Sequence, residues 1–243
     1  MIETTTHGEV AVLTLHHGPV NALDLELLTA IPDALEAAGD APVVLTGAGR
    51  SFSAGVDLKR IVAEGVPYVE RFLPALSAAF LAVFDHPRPV VAAVNGHALA
   101  GGCVLAAACD VRLMSGGTIG LTELAVGVPF PTVALEVMRH AVGPVVDRLV
   151  LTAARLDPAE AHRVGLVHEV VTEDLLAAAV SSAAALAAVP VPVYALAKRQ
   201  LHEPAHARIA ARRGVDDQAV DALWADPGTG ARLRDYLASL VKR

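Results

Sequence analysis

The apolar positions of the chain fall into two kinds of run. Short blocks that are apolar at nearly every position predict strands buried on both faces, and three stand out: Glu9 to Leu15 (EVAVLTL), Pro42 to Thr46 and Val90 to Val94. Asp110 to Met114 reads as a shorter strand. Longer blocks with apolar residues three or four apart predict helices. Leu25, Leu28 and Leu35 form such a stripe over Leu25 to Ala38, with Pro32 an awkward resident and Gly39 a stop. Phe72, Leu76, Phe80 and Phe84 recur at a spacing of four over Val66 to Phe84 and read as a core-facing stripe. Thr132 to Ala141 and Pro144 to Ala153 read as helices, and Asp157-Pro158 starts another with an N-cap aspartate and a first-turn proline. From Thr172 the chain is helical in pieces to Arg243. Within that region Leu175 to Ala197 lacks a charged side chain over a length that could span a bilayer. Ser181-Ser182 and Pro190-Val191-Pro192 interrupt it, which predicts two helices meeting at the prolines rather than one span.

The chemical signal is concentrated in three segments. Val90 to Asp110 (VVAAVNGHALAGGCVLAAACD) joins a buried strand to an uncharged helix through a bend; Asn95-Gly96 ends the strand and Gly101-Gly102 opens the helix. The N–H groups of a helix start are unpaired and carry a partial positive charge, and glycine lets another molecule's oxygen approach them. Ser51 to Leu58 (SFSAGVDL) offers backbone N–H groups at the small residues Ser53, Ala54 and Gly55 in the same way. In the third segment, Thr118 to Phe130 (TIGLTELAVGVPF), Glu123 is the sole ionisable residue. A glutamate at a helix start is ordinarily a dipole-compensating residue. If buried, it becomes a base near neutral pH, because burial raises its pKa.

Composition narrows the partners. A chain of 243 residues is long enough for one substantial core, and a single domain is the prior. Hydrophobic content of 54% and mean hydropathy of +0.50 are high, but alanine supplies much of both. A net charge of −7 excludes a nucleic-acid partner that needs a basic surface, while an anionic small ligand needs only a local patch. Cys103 and Cys109, six residues apart in one helix, are separated by roughly 9 Å along its axis, too far for a disulfide, and read as buried free thiols. Gly47-Ala48-Gly49 follows a strand, but the third glycine of a dinucleotide motif would fall on Phe52. No histidine pair has metal spacing; His16, His17, His140, His162, His168, His202 and His206 read as surface or helix-end residues. The N-terminus, MIETTTHGEV, has no basic region followed by an apolar core, so the expected location is the cytoplasm.

Taken together, S-F-S-A-G-V-D-L and N-G-H-A-L-A-G-G-C in this order resemble the enoyl-CoA hydratase/isomerase (crotonase) family over nearly the whole chain. The resemblance implies an α/β fold, a spiral of ββα units over about residues 1–190, with C-terminal helices over about 191–243 that build a homotrimer or homohexamer. It implies an acyl-CoA thioester as substrate, with coenzyme A part of that substrate and no metal or redox cofactor. Two backbone N–H groups hold the thioester oxygen in this family, and carried over they fall on Ala54 and Gly101. The catalytic carboxylate falls on Glu123. Ser53, Gly55, Val56, Asp57, Leu58, Gly102 and Val104 become substrate contacts, and so does Val20 in Pro19-Val20-Asn21-Ala22-Leu23, which resembles the family's P-x-N-A-L segment. Asp57 also has a simpler role as a helix cap. His97 is a candidate ligand contact in the bend. The A-x-x-x-G-L-V pattern at Ala161 to Val167 implies a return to a strand through Val171. Lys198, Arg199, Lys242 and Arg243 are candidate contacts for the coenzyme A phosphates.

The departures from the hydratase pattern are also informative. Hydratases of the family carry a second glutamate directly after Gly-Gly-Cys, where this chain has Val104. Hydration divides the handling of water and proton between two carboxylates. Shifting a double bond from the 3,4 to the 2,3 position needs one base to take a proton from C2 and return it to C4. Ala100 in place of the first glycine, Val104 and the single Glu123 resemble the mitochondrial-type Δ3,Δ2-enoyl-CoA isomerase branch. The alternatives are hydration or other crotonase chemistry with a carboxylate from elsewhere, Glu136 or Asp57, and a non-catalytic acyl-CoA-binding protein.

Overall fold

The computed structural model describes residues 1–241. The chain opens with β1 (Ile2–His7), β2 (Val10–Leu15), α1 (Leu25–Ala38), β3 (Val43–Gly47), β4 (Ser51–Ser53), α2 (Leu58–Glu64) and α3 (Val66–Phe84). It continues through β5 (Val90–Val94), β6 (His97–Leu99), α4 (Gly101–Ala107), β7 (Val111–Met114), β8 (Ile119–Gly120) and α5 (Glu123–Val126). Then follow α6 (Thr132–Val142), α7 (Val145–Leu151), β9 (Arg155–Leu156), α8 (Pro158–Arg163) and β10 (Glu169–Val170). The last three elements are α9 (Leu175–Ala187), α10 (Val191–Ala225) and α11 (Pro227–Val241).

Two sheets organise the core. One has the order β1-β2-β3-β5-β7-β10, parallel except for the β1–β2 pair; the other has the order β4-β6-β8-β9. Each successive unit, β3-β4, β5-β6 and β7-β8, places one strand in each sheet before a helix returns the chain, so the path is a spiral of ββα turns. The continuous apolar runs have their reason here. Val10, Val12, Val44, Val91 and Ala93 face α9, which covers the large sheet with Leu175, Ala179 and Ala183, while Leu13, Leu45, Val90, Ala92 and Val94 face the main core. The stripe of α3 packs inward as its spacing predicts, with Phe72, Leu76, Phe80 and Phe84 all buried. By length and composition Val66–Phe84 could cross a membrane, but its apolar face is spent on α1 and α6. The helices α9 and α10 meet at Pro190 with a bend of 101°, as the interrupting prolines predict.

Of the strands that escape the hydrophobic pattern, β1, β4 and β6 are the longest. The first, β1, is IETTTH, exposed at nearly every position, and is held by a full antiparallel register with β2 rather than by burial. The others, β4 and β6, are three residues each, lie inside segments that read as loops, and pair with one another. The returning strand expected over Leu166 to Val171 is confined to β10; Leu166 and Val167 are buried without strand pairing.

A buried arginine fixes the central helix from below. Arg112 of β7 donates to the carbonyl oxygens of Ala107 (3.2 Å), Cys109 (2.7 Å) and Leu166 (2.8 Å). A cation meeting the open carbonyls at the end of α4 complements the helix dipole, and leaves the opposite end of α4 set against the other two chemical segments.

Candidate active site

The site forms where α4, the loop after β4 and the start of α5 converge. Asn21 pins the loops. It adopts φ +51°, donates to the carbonyl oxygens of Ala48 (3.2 Å) and Ser51 (2.9 Å), and accepts from the His17 N–H at 2.9 Å. Next to it Leu23 pairs with Val56 in an isolated parallel bridge: the Leu23 N–H donates to Gly55 O (2.8 Å) and the Asp57 N–H to Leu23 O (2.9 Å). Along an extended strand successive N–H groups point to opposite sides. The Val56 N–H therefore points away from Leu23 and has no acceptor among the described residues.

The free backbone N–H expected at Ala54 is found two residues along, at Val56. The Ala54 N–H is already committed to Val20 O at 3.0 Å. The Val56 N–H is free, and Val56 lines both chambers of the cleft. Gly101, the other expected donor, keeps a free N–H at the first position of α4 and packs beside Val56 and Phe80. Ala100, just before it, adopts φ +51° at the turn into the helix, a conformation usually left to glycine.

Other expected contacts are redistributed. Val20, Val56, Asp57 and Leu58 line an outer cleft of about 390 Å³, and Val104 lines an inner chamber that shares Val56, Ala100, Glu123 and Val128 with it. Ser53, Gly55 and Gly102 do not reach the cavity. Ser53 is buried, donates to Asn21 O at 2.7 Å and accepts from the Gly55 N–H at 3.2 Å. Gly55 has φ +88°, and a Cβ there would lie 2.6 Å from Leu99 O; a Cβ on Gly102 would lie 2.3 Å from Ser53 O. These glycines serve the close approach of protein backbone, not of a ligand. Asp57 caps α2 by accepting from the Arg60 N–H at 3.1 Å, the simpler of its two expected roles.

Glu123 stands at the first position of α5, on the wall shared by both chambers. The residue keeps some exposure, but its Oε2 is buried with no hydrogen-bond partner among the described residues. Burial pushes its pKa up to about 8, only partly offset by the backbone N–H groups of Glu123 and Thr122. The inner chamber is otherwise lined by Leu76, Phe80, Val104, Val128, Phe130 and Trp224, with Glu123 its sole ionisable group among the described residues. The alternative carboxylate Glu136 lies elsewhere, buried on α6 and ion-paired with Arg139 and Arg208.

Several basic and histidine positions differ from expectation. Lys198 is buried, pairs with Asp110 at 2.8 Å and lines neither chamber. Arg199 is exposed but lines neither chamber, and Lys242 and Arg243 lie outside the described residues. Among the described residues, the exposed cations on the rim of the outer cleft are Lys59 and Arg155. His97 accepts from the Thr118 N–H at 3.2 Å and so ties β6 to the residue before β8. His202 is buried and stacks on Phe84 at 3.6 Å, with His140 edge-on to it, and His168 accepts from the Arg112 N–H at 3.0 Å. Of the three, only His202 departs from the expected surface or helix-end position: His140 is exposed in the last turn of α6 and His168 is exposed. The thiols behave as expected: both cysteines are buried, and burial raises Cys109 to about 12 and Cys103 further still. The sequence carried little sign of the contribution of α11, whose Tyr236, Leu237 and Leu240 close one side of the outer cleft.

A spiral of ββα turns that sets free backbone N–H groups opposite one buried carboxyl is the architecture of the crotonase fold. The chain belongs to the enoyl-CoA hydratase/isomerase family, whose profile matches residues 5–226. It is 31% identical to a probable enoyl-CoA hydratase of Rhizobium meliloti, over 90% of this chain and 88% of that protein. It is 28% identical to human mitochondrial enoyl-CoA delta isomerase 1, over 99% of this chain and 83% of that one. The crystal structure of human mitochondrial Δ3-Δ2-enoyl-CoA isomerase superposes with a TM-score of 0.92 at 28% identity, covering 99% of this chain and 98% of the other. The protein is thus an enzyme of this family, and its relatives include both isomerases and hydratases.

Proposed function

We propose that the protein is an enoyl-CoA isomerase that moves a 3,4 double bond of an acyl-CoA to the 2-trans position. The observation that carries this reading is the inner chamber with Glu123 as its one ionisable group and buried Val104 where a second carboxylate would stand. In the reaction the thioester oxygen accepts hydrogen bonds from the Val56 and Gly101 N–H groups. The Glu123 carboxylate removes a proton from C2; the electron pair delocalises into a dienolate held by those donors. The same proton returns to C4, which leaves the double bond between C2 and C3 and restores the carboxylate. Each oxyanion donor is worth about 2.7–4 kcal/mol in such sites. A base with a pKa of about 8 is ionised in about a tenth of molecules at neutral pH, and its basicity suits a weakly acidic carbon. The proton shuttle calls for no metal or redox cofactor.

Lys59 and Arg155 on the rim are placed to meet the phosphates of coenzyme A. The C-terminal helices carry exposed apolar residues, Val193, Leu196 and Leu201, which support assembly into a homotrimer or homohexamer, and sedimentation velocity would give three or six subunit masses. A result of one subunit mass removes that part of the proposal.

The deciding experiment supplies 3-enoyl-CoA and 2-enoyl-CoA in parallel and follows the ultraviolet absorbance of the conjugated thioester. Isomerase action raises absorbance with the first substrate and leaves the second unchanged, and Glu123→Gln lowers the rate by about 10²–10⁴-fold. Consumption of 2-enoyl-CoA would make the enzyme a hydratase. No change with either substrate would leave a binding role and overturn the catalytic reading.

A further inference from the structure

The inner chamber holds a second buried polar atom that the proposed chemistry does not use. Trp224, near the end of α10, is 7% exposed and lines this chamber, and its Nε1–H is buried with no hydrogen-bond acceptor among the described residues. A buried N–H left unpaired is costly, whereas phenylalanine would fill the same apolar wall without that cost. The surrounding wall, Leu76, Phe80, Val104, Phe130 and Ala134, offers it no side-chain acceptor. Glu123 reaches the same chamber but makes no hydrogen bond to it. The space between these groups is small, about 20 Å³, comparable to the room needed by a single water. An acyl group entering beyond the reacting carbons therefore meets an unpaired donor at close quarters. A purely hydrocarbon tail would displace any water there and leave the indole N–H without a partner, while a tail bearing an acceptor oxygen would supply one.

From this geometry we propose that Trp224 is a specificity-determining residue: the inner chamber selects short acyl groups with a hydrogen-bond acceptor, a ketone or hydroxyl oxygen, near their distal end, bound through the indole N–H. The proposal rests on the acyl-CoA reading of the cleft and names the kind of acyl group it takes.

Trp224 is the single tryptophan of the chain, so its fluorescence reports on the chamber directly. The probes are saturated acyl-CoAs of graded length with a ketone on the penultimate carbon. Each is paired with an isostere in which a methyl branch replaces the oxygen. The expected result is one chain length at which the ketone binds wild type about tenfold more tightly than its isostere, with a red shift of indole emission that the isostere lacks. In Trp224→Phe, followed by calorimetry, the ratio falls to about one. Should that variant fail to fold, the wild-type affinity ratios and emission shifts decide by themselves. Equal affinity within every pair, with all the acyl-CoAs binding, overturns the selection and leaves the acyl-CoA reading standing. Binding of none of them overturns that reading and the selection with it.

Discussion

Replacing Glu123 by glutamine tests the environment of the carboxyl without any substrate. Burial raises its pKa from 4.5 to about 8 in the folded chain, and that displacement, at about 1.36 kcal/mol per pH unit, amounts to about 5 kcal/mol. The sign follows from proton binding. Between these two values the folded protein holds a proton that the unfolded chain has lost, so rising pH favours unfolding. Well below pH 4.5 both states are protonated and the pH-linked cost vanishes; above about pH 8 the full cost of a buried carboxylate is present. Glutamine is uncharged at every pH and escapes the cost. Glu123→Gln is therefore expected to gain stability over wild type as pH rises, at up to about 1.4 kcal/mol per unit, approaching about 5 kcal/mol. That is a large share of the roughly 5–15 kcal/mol that holds a folded domain. Urea unfolding of both proteins at one protein concentration, from about pH 5 to about pH 8.5, measures the difference, and titrations common to both cancel. Two parallel stability curves, separated by a constant, would show that Glu123 titrates as in free solution and would refute the buried-base reasoning.

Four further outcomes follow from the same structure. The pH profile of kcat/KM should rise along one ionisation limb to a plateau above about pH 8, and a limb near the ordinary glutamate value would contradict the burial of the Glu123 carboxyl. Lys59→Ala and Arg155→Ala should each raise KM for a coenzyme A thioester severalfold with kcat little changed, and a loss confined to kcat would show that the rim cations do not bind the phosphates. Gly102→Ala drives a Cβ to 2.3 Å from Ser53 O, so α4 must shift; a loss of at least about 2 kcal/mol in urea unfolding and a fall in kcat are expected, and wild-type behaviour in both would rule out the tight packing. Lys198→Met strands the partly buried Asp110 carboxylate, at a cost of about 3–5 kcal/mol in the same assay, and its KM should stay unchanged because the ion pair lies outside the cleft. A raised KM would return Lys198 to the ligand.

The elements were legible where burial leaves a pattern. Val90–Val94, Leu25–Ala38 and Val66–Phe84 are bounded in space as their apolar spacing and flanking prolines or glycines mark them, and the proline break between α9 and α10 is a true bend. Glu123 was readable through the family resemblance, since a glutamate at a helix start is ordinarily a dipole-compensating residue, and the reason its pKa rises is burial, which its apolar setting foreshadows. Linear sequence could not say which backbone N–H is free. Ala54 and Val56 are two residues apart in a run of small side chains, and the choice between them depends on Val20 O and on the Leu23–Val56 bridge, both contributed by a distant part of the chain. The glycines are ambiguous for the same reason: a missing side chain admits either a ligand or a neighbouring backbone, and Ser53 and Leu99 occupy the space beside Gly102 and Gly55. Lys198 looks like any helix-face lysine until Asp110 arrives beside it, and Trp224 and Tyr236 join the cavity because the C-terminal helices fold back over the spiral. Sequence by itself determined the periodicity, the breaks and the chemically unusual residue, since these are local properties of side chains and backbone. Tertiary structure decided which hydrogen-bonding groups remain unpaired, because pairing is settled by partners that meet only when the chain has folded.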